Sequence, residues 1–238
     1  MLNRSRTAAV AAYTLNEVLV TILILAVLMA LLMPALRLVR QAAASTKCLS
    51  NLRQYQLANS TYATDWKGFY VPLSYSSATP AGWSDPWYSN VDFIDRLRSD
   101  PALHFAAAAG SSLVRDELCP LAVKRAGQVT SAVAYSYGLN QQCALPAVAA
   151  NGETAAVPRV WMNGISGKVS FADGLDWALT LGGADPASYW LGGVPAPEGA
   201  IRSKSSAYRH RNRANVVCYD GHAAALAWPE LYVLNLWK

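Results

Sequence analysis

The chain has 238 residues, 53% of them hydrophobic and 15% charged, with a net charge of +5. That length limits it to one ordinary domain or one domain plus an appendage. So mild a charge excludes naming a partner from electrostatics alone, and four cysteines this far apart (Cys48, Cys119, Cys143, Cys218) exclude a local CxxC-type zinc site.

The apolar excess is local. Nineteen residues from Val18 to Leu36 carry no formal charge, and at about 1.5 Å rise each a helix over them measures roughly 28 Å, the thickness of a bilayer's hydrocarbon core. Glu17 stands at the edge of this run, where a carboxylate costs several kcal/mol unless something pairs it. A buried core helix rarely stays apolar all round for so long. A secretory signal peptide is the nearer rival, with Arg4 and Arg6 ahead of the run and Ala42 to Ala44 resembling a cleavage site. The run is too long for one, and Arg37 and Arg40 intervene before those alanines.

Past the apolar run, LRLVRQAAASTKCLSNLRQYQLANSTYATDW contains neither Gly nor Pro. Cys48, Leu49, Leu52, Tyr55, Tyr62 and Trp66 recur at helical spacing and predict an amphipathic stripe. One helix over 13–65 follows, with a transmembrane segment at about 18–36, Pro34 as its point of bending and Gly68 just beyond its end. Residues 66–238 hold all eight tryptophans and form the globular part. Strands are predicted at Ala132 to Tyr137, Val169 to Ala172, Asn215 to Tyr219 and His222 to Trp228. NVVCYDGHAAALAW reads as a hairpin closed at Asp220-Gly221, and Asp173-Gly174 as a second turn. CALPAVAANGETAAVP and LGGADPASYWLGGVPAPEG read as loops. The class is α+β, a long N-terminal helix packed on a small antiparallel sheet.

AYTLNEVLVTILILAVLMALLMPAL resembles the N-terminal region of type IV pilin-like proteins and the pseudopilins of type II secretion. The resemblance makes residues 1–12 a prepilin leader, Ala12 the residue before the peptidase cut, Tyr13 the new and N-methylated N-terminus, Glu17 the acidic residue that guides assembly, and Pro34 the usual bend. The family usually has Gly where Ala12 stands. KCLSNLRQYQLANSTYATDWKGFYVP, ELCP and SYGLN resemble later landmarks of a pseudopilin-like bacterial group, whose C-terminal signature, His, nine residues, Asp-Gly, is present as His210, Asp220 and Gly221. What this implies is a structural subunit of a pilus-like or pseudopilus filament, held in the bacterial inner membrane by a single pass. Its C-terminal domain would lie outside, in the periplasm or in a filament. Its partners would be other pilin-like subunits, the prepilin peptidase and methyltransferase, and membrane lipid. Arg37, Arg40, Lys47 and Arg53 outnumber Arg4 and Arg6, so charge bias alone predicts the opposite orientation.

Cleavage before Tyr13 would free an α-amine whose charge a neighbouring subunit's Glu17 offsets, which answers the question that Glu17 raises. If Cys48 and Cys119 meet where the helix docks, a disulfide would staple helix to domain; four buried thiols are the alternative. His210 and Asp220 are read as structural, the first near the start of the strand leading into the hairpin turn, where it could hydrogen-bond across, and the second in that turn. A calcium ion on Asp220 and Asp173 is the rival reading. No nucleophile motif accompanies the Ser, His and Asp residues, so no enzyme, cofactor or metal is expected. Arg202, Lys204, Arg209, Arg211 and Arg213 around Tyr208 offer a phosphate-binding patch, so a minor-pilin or membrane-anchored binder of DNA or glycan is the second functional class. A plain secreted protein released after Ala44 is the third.

Overall fold

The computed structural model describes residues 14–76, 84–98, 115–122, 136–142, 167–185, 190–191, 194–195 and 204–237. Residues up to Gln41 and residues from Ala42 onward are two units. Helix α1, Leu15–Asp65, begins in the first and ends in the second, with Pro34 inside it. In the first unit every large apolar side chain from Val18 to Leu36 is at least 43% exposed. This is a helix long and apolar enough to cross a membrane. At its other end α1 closes where the sequence predicts, the N–H of Gly68 reaching back to the Ala63 carbonyl at 2.8 Å. Gly68 takes φ of 88°, a left-handed conformation that glycine adopts without penalty.

The second unit is a helix-on-sheet layer. Strands β1 (Ser74–Ser76) and β2 (Ser84–Pro86) pair antiparallel, and a short helix, α2 (Val91–Leu97), follows, capped by the Asn90 side chain. The main sheet contains β3 (Tyr137–Asn140), β4 (Val169–Asp173), β5 (Ala178–Leu179), β8 (Arg213–Cys218) and β9 (Ala223–Ala227), in the order β5-β3-β4-β8-β9. Two residues each of β6 (Trp190–Leu191) and β7 (Val194–Pro195) pair with one another, so part of the stretch expected to be loop is a minimal hairpin. The chain then ends in α3 (Trp228–Leu231) and a 3-10 turn.

The sheet is mixed, which corrects the expectation of an antiparallel one: β5 runs parallel to β3, with Leu139 opposite Ala178. Two residues of pairing leave too little pattern to read in a sequence. Asp173-Gly174 is likewise no hairpin turn. Asp173 ends β4 fully buried, and Gly174 bridges to Ser206. Of the strand expected at 132–137, residues 132–135 lie outside the described residues, and the observed strand starts at Tyr137.

Two cores sandwich the sheet. Cys48, Leu52, Tyr55, Ala58 and Tyr62 of α1 pack with Trp87, Phe93, Tyr137, Phe171 and Val217 on one face. Val169, Ala172, Ala214 and Val216 meet Tyr208, Leu231 and Trp237 on the other. A bulge between Val169 and Phe171 resets the alternation of β4, so that Val169 and Ala172 serve one core while Phe171 serves the other. The expected stripe of α1 therefore holds at Cys48, Leu52, Tyr55 and Tyr62; Leu49 is half-buried and Trp66, past the helix end, stacks on Tyr62 with ring centroids 5.4 Å apart.

Candidate functional site

Two places collect the sequence-predicted residues. The first is the start of α1. Glu17 Oε2 accepts hydrogen bonds from the Thr14 backbone N–H at 2.8 Å and from its hydroxyl at 2.9 Å, while Thr14 Oγ1 accepts from the Glu17 N–H at 3.3 Å. This is a capping box, Thr-x-x-Glu, and it gives Glu17 a partner in its own chain. The signature is legible in TLNE but was not among the sequence expectations. Both bonds fall on Oε2, and a carboxylate has about four acceptor positions, so Oε1 keeps capacity for a second donor. Ala12 and Tyr13 lie outside the described residues.

The second place is the buried end of the helix–sheet interface. A turn of α1 presents Cys48; the segment after the 3-10 turn Arg115–Glu117 presents Cys119; β4 ends at Asp173; and the turn before β8 presents His210. That last turn is tight. His210 and Arg213 exchange backbone hydrogen bonds at 3.1 Å each, with Arg211 and Asn212 between them at φ of 54° and 61°. Two left-handed central residues make a type I′ turn, which fixes where the imidazole points. The Cys48 and Cys119 sulfurs are 2.9 Å apart, Cys119 Sγ is 3.5 Å from His210 Nε2, and His210 Nε2 is 3.4 Å from Asp173 Oδ2. None of the four residues is more than 5% exposed.

Neighbours hold these groups in place. The Asn215 N–H donates to Asp173 Oδ2 at 2.8 Å, and Ser45, one turn before Cys48, donates to the Asn215 side chain at 3.2 Å. The Cys119 N–H donates to Ser136 Oγ at 2.5 Å, and Asn51 donates to the carbonyls of Asp116 and Leu118 at 3.0 and 3.2 Å. Much of what KCLSN, ELCP and SYGLN supply is thus the framework that carries Cys119. Gly138 belongs to it as well, since a Cβ there would fall 2.5 Å from the Asp176 carbonyl oxygen.

The electrostatics are those of a dry, polar knot. Burial pushes the Asp173 carboxyl up to about 7, against the pull of His210 and Arg209. At His210 burial acts downward, but the Asp173 carboxylate and the Cys119 sulfur hold the ring above its ordinary value. Burial opposes ionisation of Cys119 too, and the Cys48 hydrogen bond, His210 and Arg209 overcome it, drawing the thiol well below its usual range. Cys48, bonded to Cys119 and buried, moves up.

The sequence expectations fare unevenly here. Cys48 and Cys119 do meet, as thiols in contact and not as a disulfide. Asp220 and Gly221 form the hairpin turn, with Gly221 at φ of 88°; Asp220 accepts from the N–H groups of Gly167 at 3.0 Å and His222 at 2.8 Å. His210 reaches across to β4, as a structural reading requires. A calcium site shared by Asp173 and Asp220 is ruled out by the register, which sets Cys218, two residues before Asp220, opposite Val169 at the far end of β4 from Asp173. The basic patch is broken up: Arg209 is buried with its guanidinium on the Gly174 carbonyl, and Arg213 lies 3.6 Å from Glu230. Arg202 and Cys143 lie outside the described residues. A nucleophile–base–acid relay also fails on geometry, because one ring nitrogen of His210 faces both sulfur and carboxylate, whereas a relay uses both nitrogens. Compared with protein-family models, curated proteins and solved structures, the chain matches none.

Proposed function

We propose that the chain is a pilin-like structural subunit of a pilus or pseudopilus filament, stored in the bacterial inner membrane and cleaved between Ala12 and Tyr13 before assembly. The observation that carries this reading is the first half of α1. It exposes apolar side chains on every face from Val18 to Leu36, an area that water does not tolerate and that only lipid or other helices can cover. A permanent anchor needs no more than that. What adds assembly is the acid at its edge, with a free oxygen one residue beyond the Thr-Leu-Asn that follows Tyr13, where a neighbour's new α-amine can reach it. On passing from lipid into a filament, packing and Thr21 replace contact with acyl chains. The compact second unit would then ride outside the membrane as the variable surface, with no catalytic part to play.

Filaments sheared from cells, or drawn out with the secretion apparatus, test this reading. The chain is expected in that fraction together with other subunits carrying the same kind of N-terminal segment, in amounts that fall to background when the prepilin peptidase is deleted. Recovery only in the membrane fraction, whether or not the peptidase is present, is the contrary result and would leave a plain single-pass anchor.

A further inference from the structure

The Cys48, Cys119, Asp173 and His210 group is unexplained by a purely structural subunit. Four donors from four distant segments point at one spot, and their ligand atoms all lie within 4.8 Å of one another. Among the described residues Asp173 Oδ1, in a residue with no exposure, has no hydrogen-bond partner. An unsatisfied carboxylate oxygen in a site this dry is costly, so something of positive charge belongs beside it. Arg209 is near, but its guanidinium is engaged by the Gly174 carbonyl.

We propose that these four side chains form a tetrahedral site for one zinc-class divalent metal ion. With metal–sulfur bonds of about 2.3 Å and metal–nitrogen or metal–oxygen bonds of about 2.0–2.2 Å, the edges of such a tetrahedron are about 3.8 Å for S–S, 3.6 Å for S–N and 3.4 Å for N–O. The observed separations of His210 Nε2 from Cys119 Sγ and from Asp173 Oδ2 are 3.5 and 3.4 Å, so Oδ2 is the ligand atom and Oδ1 marks the uncompensated charge of the same carboxylate. The sulfurs, at 2.9 Å, must part by roughly 0.9 Å, a side-chain adjustment at Cys48. A disulfide would need a closure of similar size but would use only the two sulfurs, leaving the Asp173 oxygen as it is. Charge favours the metal also. Two thiolates, one carboxylate, one divalent ion and Arg209 sum to neutral, with His210 as the uncharged ligand. Thiolate and imidazole donors select zinc and its like over calcium or magnesium. Asn215 on Asp173 and Ser136 behind Cys119 are the supports that orient ligands in such a site.

The full-length chain, purified unalkylated in detergent from its own membrane, is the material for the metal measurements, and a separate portion with thiols trapped by alkylation at lysis reports whether Cys48 and Cys119 are joined. Elemental analysis is expected to give one zinc per chain. Exchange of zinc for Co²⁺ alone should produce the visible bands of tetrahedral cobalt with a thiolate charge-transfer band in the near ultraviolet. Cys48→Ser and Asp173→Asn are each expected to weaken metal retention against a chelator at least tenfold. The cobalt spectrum on the unaltered chain keeps the proposal testable if either variant fails to fold. A Cys48–Cys119 disulfide in the trapped protein overturns the proposal. So does a reduced chain that takes up neither zinc nor cobalt.

Discussion

A chain carrying Glu17→Ala is expected to insert in the membrane in normal amount and to disappear from filaments. The two halves of that result have different physical sources. Insertion depends on the apolar run from Val18 to Leu36, which the substitution does not touch. Loss of the capping box costs the helix about 0.5–2 kcal/mol, enough to fray its first turn and no more. Assembly depends on the charge. A carboxylate and an amine about 4 Å apart attract by about 4 kcal/mol at an effective dielectric of 20, and desolvation removes part of this. If only 1.4 kcal/mol survives, incorporation falls about tenfold per contact. Two companion variants separate the causes. Glu17→Gln keeps an acceptor for Thr14 and loses the charge, so it should fail as Ala does. Thr14→Ala removes the hydroxyl from the cap and keeps the charge, so it should assemble. Glu17→Ala subunits found at normal density beside wild type would mean that the acid merely marks the membrane boundary.

Tyr55→Ala is expected to destabilise the second unit by about 3–5 kcal/mol, the range for emptying a large aromatic site. That is a large fraction of the 5–15 kcal/mol typical of a whole domain. Tyr55 is the hub of the helix–sheet interface. It is fully buried, with Trp87, Phe93, Tyr137 and Phe171 around its ring at centroid distances of 5.7, 6.1, 5.3 and 5.6 Å, all edge-on. Edge-on pairs add to plain burial. Its hydroxyl donates to the Glu117 carbonyl at 3.2 Å, next to the part-buried Arg98–Glu117 ion pair at 2.9 Å. Tyr55→Phe keeps the ring and loses that bond, so it should cost only about 1 kcal/mol. Urea unfolding followed by tryptophan fluorescence measures both. Equal losses from the two variants would mean that the hydroxyl, not the ring, holds helix to sheet.

What could be read in advance follows the range of the interactions. The stripe of α1 and the NVVCYDGH hairpin are local patterns, with periods of 3.6 and 2, and both hold in the structure, the hairpin with Val217 facing Ala223 across its turn. The capping box is just as local, since TLNE sets Thr14 and Glu17 three residues apart at the start of the helix. Long-range convergence is different. Cys119 and His210 are 91 residues apart, and no spacing rule links them to Cys48 or Asp173, because what brings them together is a helix docking on a sheet and a bulge in β4. The reading of Asp173-Gly174 as a turn went astray for the same reason. Asp-Gly does favour turns, but here burial of the carboxylate among sulfur and imidazole overrides that preference.

The central claim is that the first half of α1 is a trimmed, transferable assembly handle, and the mature N-terminus tests it most directly. Mass spectrometry of the protein isolated from its own cells is expected to find the chain starting at Tyr13, with a methyl group on the α-amine. A chain that still begins at Met1, or one that begins at Ser45, would contradict it.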